Sequence, residues 1–247
     1  MKKKKFSLNS YKYLLKIIKK NKRNIITFNE FFQNKKGIIL RHDVDFCLSR
    51  ALKIAKVEYN NKIISTFFVM INSKLYDLSE NNNLKNIRKI ISLGHEVGLH
   101  FDAGLYNSDN ICLDEACNKE CEKLEFLIGN KINIISFHRP KKILIGRKSK
   151  IGSRYHTYMP ELIESTKYCS DSAGSWKYDD PEDLINDSTI KNIQLLTHPI
   201  WWTTPQNLSP GEKVAHHLKE YDIQIKKEAA KNCVPYKVYL HSANILK

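Results

Sequence analysis

The six cysteines of this 247-residue chain, Cys47, Cys112, Cys117, Cys121, Cys169 and Cys233, include no C-x-x-C pair and no finger-like spacing. A cysteine-built metal module is therefore excluded, and reduced thiols, as in the cytoplasm, are expected. No stretch approaches the about 18 consecutive apolar residues of a spanning helix. After Met1 to Lys5, the segment SLNSYKYLLKIIKK interrupts any signal-peptide core with lysines, so neither export nor membrane spanning is expected. Carboxylates are scarce beside cations: 26 Asp and Glu against 41 Lys and Arg leave a net charge of +15. No zinc-finger, RRM or KH pattern accompanies that charge, and the lysines are spread along the chain. The charge therefore points away from nucleic acid, toward an anionic partner such as a nucleotide sugar, a lipid-linked glycan or a membrane surface. Linkers rich in Pro, Gly or Ser are missing, as are internal repeats.

What remains is ample for a folded core, with 42% hydrophobic and 10% aromatic residues. Ser7 to Asn21 carries Leu8, Tyr11, Leu14, Leu15, Ile17 and Ile18 at helical spacing, flanked by Lys12, Lys16, Lys19 and Lys20. Residues 1–36 read as a basic amphipathic helical segment packed on the body of the protein, with a peripheral membrane contact as its other use. Residues 37–247 read as one domain.

Beyond Gly37, short apolar runs alternate with longer helical patterns, the signature of βαβ units and a parallel sheet. The runs are 37–40, 63–71, 96–101, 132–137, 168–170 and 192–197. Helices are expected over 48–59, with Arg50 and Lys53 outward, and over 84–93, 113–127 and 211–231, followed by a strand-like segment at 236–240. Ionisable residues follow five of these runs: RHDVD (41–45), HFD (100–102), HRP (138–140), SDS (170–172) and THPIWW (197–202). Parallel α/β folds build their sites at the carboxyl ends of strands, so the pattern reads as an enzyme on a (β/α) barrel.

Converging aspartates and histidines suit a divalent cation held by nitrogen and oxygen, with zinc, cobalt or manganese all compatible. Asp43 and Asp45, two apart on a strand, point to one face. One can hold the metal while the other takes a proton from water, and a protonated histidine can serve the leaving group. In the plainer reading both aspartates cap the helix near Leu48.

The ordered set RHDVD, STFFV, GHEVGLHFD, SFHRP, YCSDSAG and LLTHPIWW, from Gly37 to Trp202, resembles the polysaccharide deacetylase family, carbohydrate esterase family 4. The resemblance implies a distorted (β/α) barrel and a hydrolase of carbon–nitrogen bonds other than peptide bonds. Such an enzyme removes acetyl groups from amino sugars or glycan precursors with zinc or a similar ion, and its place would be bacterial surface polysaccharide biosynthesis. By position it implies Asp43 as catalytic base, Asp45 and His100 as metal ligands and His198 as general acid. Arg139 would orient the base, and His138 could take that arginine's place. Asp171 and Trp176 would line the pocket and tune the histidine. The family's second metal histidine falls on Gly104; Asp102 is the replacement expected here, with His138 as competitor. His138, Trp176 and Trp201 are the substrate-binding candidates, although Trp201 and Trp202 could equally be packing residues. His95 is expected to be a hydrogen-bonded structural histidine. The basic loop 141–154 reads either as a solvated loop or as a phosphate-gripping lid. A relative that keeps the pocket without catalysis, binding a glycan or a partner, is the alternative.

Overall fold

The computed structural model describes residues 6–106 and 112–243; the basic start Met1 to Lys5 lies outside them. Two compact units divide the chain, Met1–Thr203 and Thr204–Lys247.

The first unit opens with α1 (Leu8–Lys20), started by Ser7, whose hydroxyl accepts the Ser10 amide at 3.1 Å. Tyr11, Leu14, Leu15, Ile17 and Ile18 are buried, while Lys12, Lys16, Lys19 and Lys20 stay in solvent. The apolar stripe is thus consumed by packing within its own unit. Next come β1 (Ile25–Ile26), α2 (Phe28–Phe32), β2 (Ile38–Val44) and α3 (Leu48–Asn60). They are followed by β3 (Thr66–Val69), α4 (Asn81–Ser92), β4 (Glu96–Phe101), α5 (Leu113–Ile128) and β5 (Ile134–Phe137). The unit closes with β6 (Tyr155–His156), α6 (Pro160–Ser165), β7 (Lys167–Ser170), α7 (Pro181–Asn186), β8 (Ile193–Thr197) and α8 (Pro199–Thr203).

All pairings between these strands are parallel, in the order β6-β5-β4-β3-β2-β8-β7, with β1 beside the start of β2. This is a curled half-barrel, open between β6 and β7, of the distorted (β/α)-barrel type expected from the sequence. Because side chains alternate along a strand, the register decides which residues share the inner face. Asp43 is level with Phe68, Phe68 with Gly98, His100 with Ser136, and Arg41 with Leu196. Ile39, Phe68 and Ile134 form an apolar floor with Phe28 and Phe31 of α2. Above it, the same face turns polar toward the carboxyl ends. Gly98 is required there, since a Cβ would sit 2.5 Å from the Phe68 ring and 2.8 Å from the Ile134 carbonyl.

Two expectations are corrected in this unit. The strand expected at 37–40, β2, does not stop at Leu40 but runs through Arg41, His42 and Asp43 to Val44, fully buried, because the charges along it are partners of one another and of neighbouring elements. Arg50 does not point outward: it is buried, and its guanidinium donates to the Thr203 carbonyl at 2.8 Å. His95 is structural as expected, with Nδ1 accepting the Ser65 amide and Nε2 donating to the Ala55 carbonyl.

The second unit contains α9 (Pro210–Asn232), begun by a Ser209/Glu212 capping box, and α10 (Val234–Ser242). The strand expected at 236–240 lies inside α10. Pro235 suits the first turn of a helix, and no strand of the described residues is there to pair with it. Among the described residues no helix is long and apolar enough to cross a membrane, and all six cysteines are free.

Candidate active site

Strand β2 places Arg41, Asp43 and, just past its end, Asp45 on the inner face. Arg41 grips Asp43 from the same strand, Nε donating to Oδ1 at 2.9 Å and Nη2 to Oδ2 at 2.8 Å. Such a two-pronged, fully buried pair fixes both the position and the ionisation of a carboxylate. Arg41 is itself held by Gln194 Oε1 at 3.1 Å and by the Ser136 hydroxyl, between the rings of Phe68 and Tyr158. Burial opposes the charge of Asp43, yet Arg41 and the nearby His100 and His198 hold its carboxyl below the usual range.

Asp45 lies where three histidines meet. Its Oδ1 is 3.2 Å from His100 Nε2 and 3.6 Å from His138 Nδ1, and those two nitrogens are 3.3 Å apart. Donor atoms about 2.1 Å from one tetrahedral ion stand about 3.4 Å apart, so this triangle has the dimensions of a ligand set. The chemistry agrees, with two imidazoles and a carboxylate, and Asp45 Oδ1 is buried without a hydrogen-bond partner of its own. Burial works against the Asp45 charge, but His100 and His138 beside it, with the charge of His198, hold its carboxyl well below the usual range.

On the far side of Asp45, His198 Nε2 lies 3.8 Å from Oδ2. Its Nδ1 donates to Asp171 Oδ1 at 2.6 Å, and its backbone amide donates to both Asp171 oxygens at 3.0 Å. Trp202 Nε1 adds a third donor, to Asp171 Oδ2 at 2.7 Å. Asp171, fully buried, therefore holds the ring with Nε2 toward the site. Burial disfavours the imidazolium, but the Asp171 carboxylate and its hydrogen bond, then Asp45 and Asp43, outweigh it and lift His198 to about 9. At neutral pH its Nε2 carries a proton.

Asp43, Asp45, His100, His138, His198 and Asp171 thus converge as the strand-end pattern predicts. Four other expected residues stand elsewhere. Asp102 is not the third member of the ligand triangle: its Oδ1 accepts the Gly104 amide at 2.9 Å and caps the turn Ala103–Leu105. The position belongs to His138, delivered by the next strand, and a Cβ on Gly104 would meet Asp102 Oδ1 at 2.9 Å. Arg139 does not orient the base; it is exposed, with a left-handed backbone at φ 48°, while Arg41 holds Asp43. Trp176 packs against Phe6 and Trp202 at ring distances of 5.6 and 5.8 Å, behind Asp171. Trp201 is buried near Phe46, a packing residue beside the site. A small cleft opens between Asp43, Asp45, Phe46, Cys47, Pro199 and Ile200. Arg41, Ser136 and Gln194 had no assigned role in the sequence; the i, i+2 spacing of Arg41 and Asp43 was the available signal.

No family model and no curated protein matches this chain. Solved structures do. One is a CE4 family pseudoenzyme from Bacillus anthracis, 14% identical over 77% of this chain and 62% of that one, with a TM-score of 0.36. Another is a family 4 acetyl xylan esterase from Clostridium thermocellum in complex with a cobalt ion, 14% identical over 74% of this chain and 84% of that one, at 0.38. A third is the chitin deacetylase of the fungal pathogen Colletotrichum lindemuthianum, 17% identical over 74% of this chain and 81% of that one, at 0.41. The chain spans less than two thirds of the pseudoenzyme's length. Carbohydrate esterase family 4, which the motifs resemble, is the family of the pseudoenzyme and of the acetyl xylan esterase.

Proposed function

We propose that this chain is a divergent polysaccharide deacetylase, a metal-dependent hydrolase that removes an N-acyl group from an amino sugar or glycan precursor. One observation carries the reading: Asp43, gripped by Arg41, and His198, held by Asp171, flank a triangle of Asp45, His100 and His138 whose spacing suits a metal ion. A base and an acid held in opposite protonation states on two sides of one centre suit acyl transfer to water.

Asp45, His100 and His138 would hold the ion; zinc fits this donor set, and cobalt or manganese would also be accepted. When bound, the ion supplies a Lewis acid for the acyl carbonyl and makes water more acidic. The protein's own groups do the rest. Asp43 accepts the proton of the attacking water, with Arg41 keeping its carboxylate anionic and aimed. His198 Nε2 donates its proton to the departing amine nitrogen, and Asp171 steadies the imidazolium that gives it up. A place in bacterial surface polysaccharide biosynthesis is what the motif resemblance implies.

The test is metal content together with turnover on acetylated amino sugars. Asp43→Asn should lower turnover by about 10²-fold or more while leaving the fold and metal stoichiometry intact. A protein that takes up no zinc, cobalt or manganese, or an Asp43→Asn variant as active as wild type, would favour a non-catalytic glycan- or partner-binding relative.

A further inference from the structure

We propose that the loop after β5 docks on an anionic lipid membrane, holding the mouth of the site against the bilayer surface. The stretch 139–154 contains Arg139, Lys141, Lys142, Arg147, Lys148, Lys150 and Arg154 and no carboxylate. Two of these cations are paired with carboxylates, Arg147 with Asp114 at 2.8 Å and Arg154 with Glu125 at 3.0 Å, and Lys150 lies over the Tyr155 ring at 4.1 Å. Arg139, Lys142 and Lys148 are exposed and make no salt bridge among the described residues. Between them in the sequence stand Ile143 and Ile145, 75% and 50% exposed, and Leu105, next to Tyr106 in the chain, is 47% exposed.

This exposure is built into the loop. Leu144, between the two isoleucines, is buried, and its amide donates to the Lys141 carbonyl at 2.9 Å. The Gly146 amide donates to the Tyr158 carbonyl at 3.0 Å, and Lys141 Nζ reaches the Tyr106 carbonyl at 3.3 Å, tying the loop to the turn that presents Leu105. The anchored loop therefore holds its alternate aliphatic side chains out in water. Single exposed aliphatics are ordinary, but aliphatic tips ringed by unpaired cations are the chemistry of interfacial binding: the tips enter the headgroup boundary and the cations meet lipid phosphates. Helix α1 offers only the second half of this, since its lysines are exposed while its apolar stripe is buried. The loop begins one residue after His138, at the carboxyl end of β5. Resting on the hydrolase reading, the substrate is then a glycan presented at the membrane on a lipid phosphate.

The experiment is co-sedimentation of the full chain with vesicles of phosphatidylcholine alone and of phosphatidylcholine with phosphatidylglycerol. Wild type should prefer the anionic vesicles by about tenfold or more, and salt should weaken the binding. Joint Ile143→Ser and Ile145→Ser should lower binding by about tenfold with an unchanged thermal midpoint. Joint Arg139→Gln, Lys142→Gln and Lys148→Gln should remove the preference for phosphatidylglycerol. Lys12→Gln with Lys16→Gln and Lys20→Gln should leave both unchanged, and so should His100→Ala, which separates this surface from the metal site. No anionic preference, or equal binding by the isoleucine variant, overturns the proposal. So does loss of binding in the α1 variant. Conversion of a dimer to a monomer by the isoleucine substitutions, without vesicle binding, would make the patch an interface between copies of the chain.

Discussion

Arg41 and Asp43 sit two residues apart on one strand, and that spacing lets a single guanidinium fix the Asp43 carboxylate without help from any loop. Removing one partner of a buried pair leaves an uncompensated charge, so Arg41→Met should cost about 3–5 kcal/mol of stability, read as a lower urea midpoint. His198 supplies the clearest pH dependence. Its folded-state value is raised to about 9, so the protonated form is favoured by the fold. Its contribution is complete below the ordinary histidine range and is lost as pH rises through about 9. The expected NMR titration of the metal-free protein has that midpoint. In Asp171→Asn the midpoint should fall toward the ordinary histidine value, and the alkaline limb of turnover should move with it.

At the scale of elements, a buried polar cluster behind β2 ties α1 to α3. The Tyr11 hydroxyl donates to Glu58 Oε1 at 2.5 Å, the Ser65 hydroxyl donates to Oε2 at 2.6 Å, and His42 Nε2 lies 2.9 Å from Oε1. His42 Nδ1 reaches the Thr197 hydroxyl at 2.7 Å, joining β2, which carries Asp43, to β8, which leads into His198. Tyr11→Phe should cost about 2 kcal/mol, the worth of a buried hydrogen bond to a charged group, measurable by urea denaturation. Burial opposes the Glu58 charge, but His42, His95 and Ser65 hold its carboxyl below the usual range. Its contribution is therefore present above the ordinary carboxylate pKa and lost as pH falls below it. Tyr11→Phe should accordingly lose less stability at pH 3 than at pH 7. Gly98→Ala, which drives a Cβ into the Phe68 ring, should cost about 1–3 kcal/mol by the same assay.

For the molecule as a whole, the proposed metal binding would be linked to folding. An ion held by Asp45, His100 and His138 binds the folded chain alone, so saturating zinc should raise the unfolding temperature. His100→Ala and His138→Ala should abolish that rise and the one-per-chain stoichiometry, whereas Asp102→Ala should keep both; calorimetry with metal analysis reads all three. The division of the chain at Thr203 leaves the strands and the site on one unit and α9 and α10 on the other.

Alternation of apolar runs with helical patterns made the parallel sheet legible in the sequence, because periodicity is a local property. Ionisable residues at strand ends likewise marked Asp43, Asp45, His100, His138, Asp171 and His198, since a parallel sheet delivers every strand end to one side. Two other features were not local. Whether Asp102 or His138 completes the triangle depended on the register of β4 against β5, and whether Arg41 or Arg139 holds the base depended on which guanidinium reaches the inner face. An i, i+2 spacing names candidates for a face, but only packed neighbours, here Ser136 and Gln194 beneath Arg41, determine which charge can afford burial there. The short strands β1 and β6 and the helical state of 236–240 were decided in the same way, by the presence or absence of a partner to pair with.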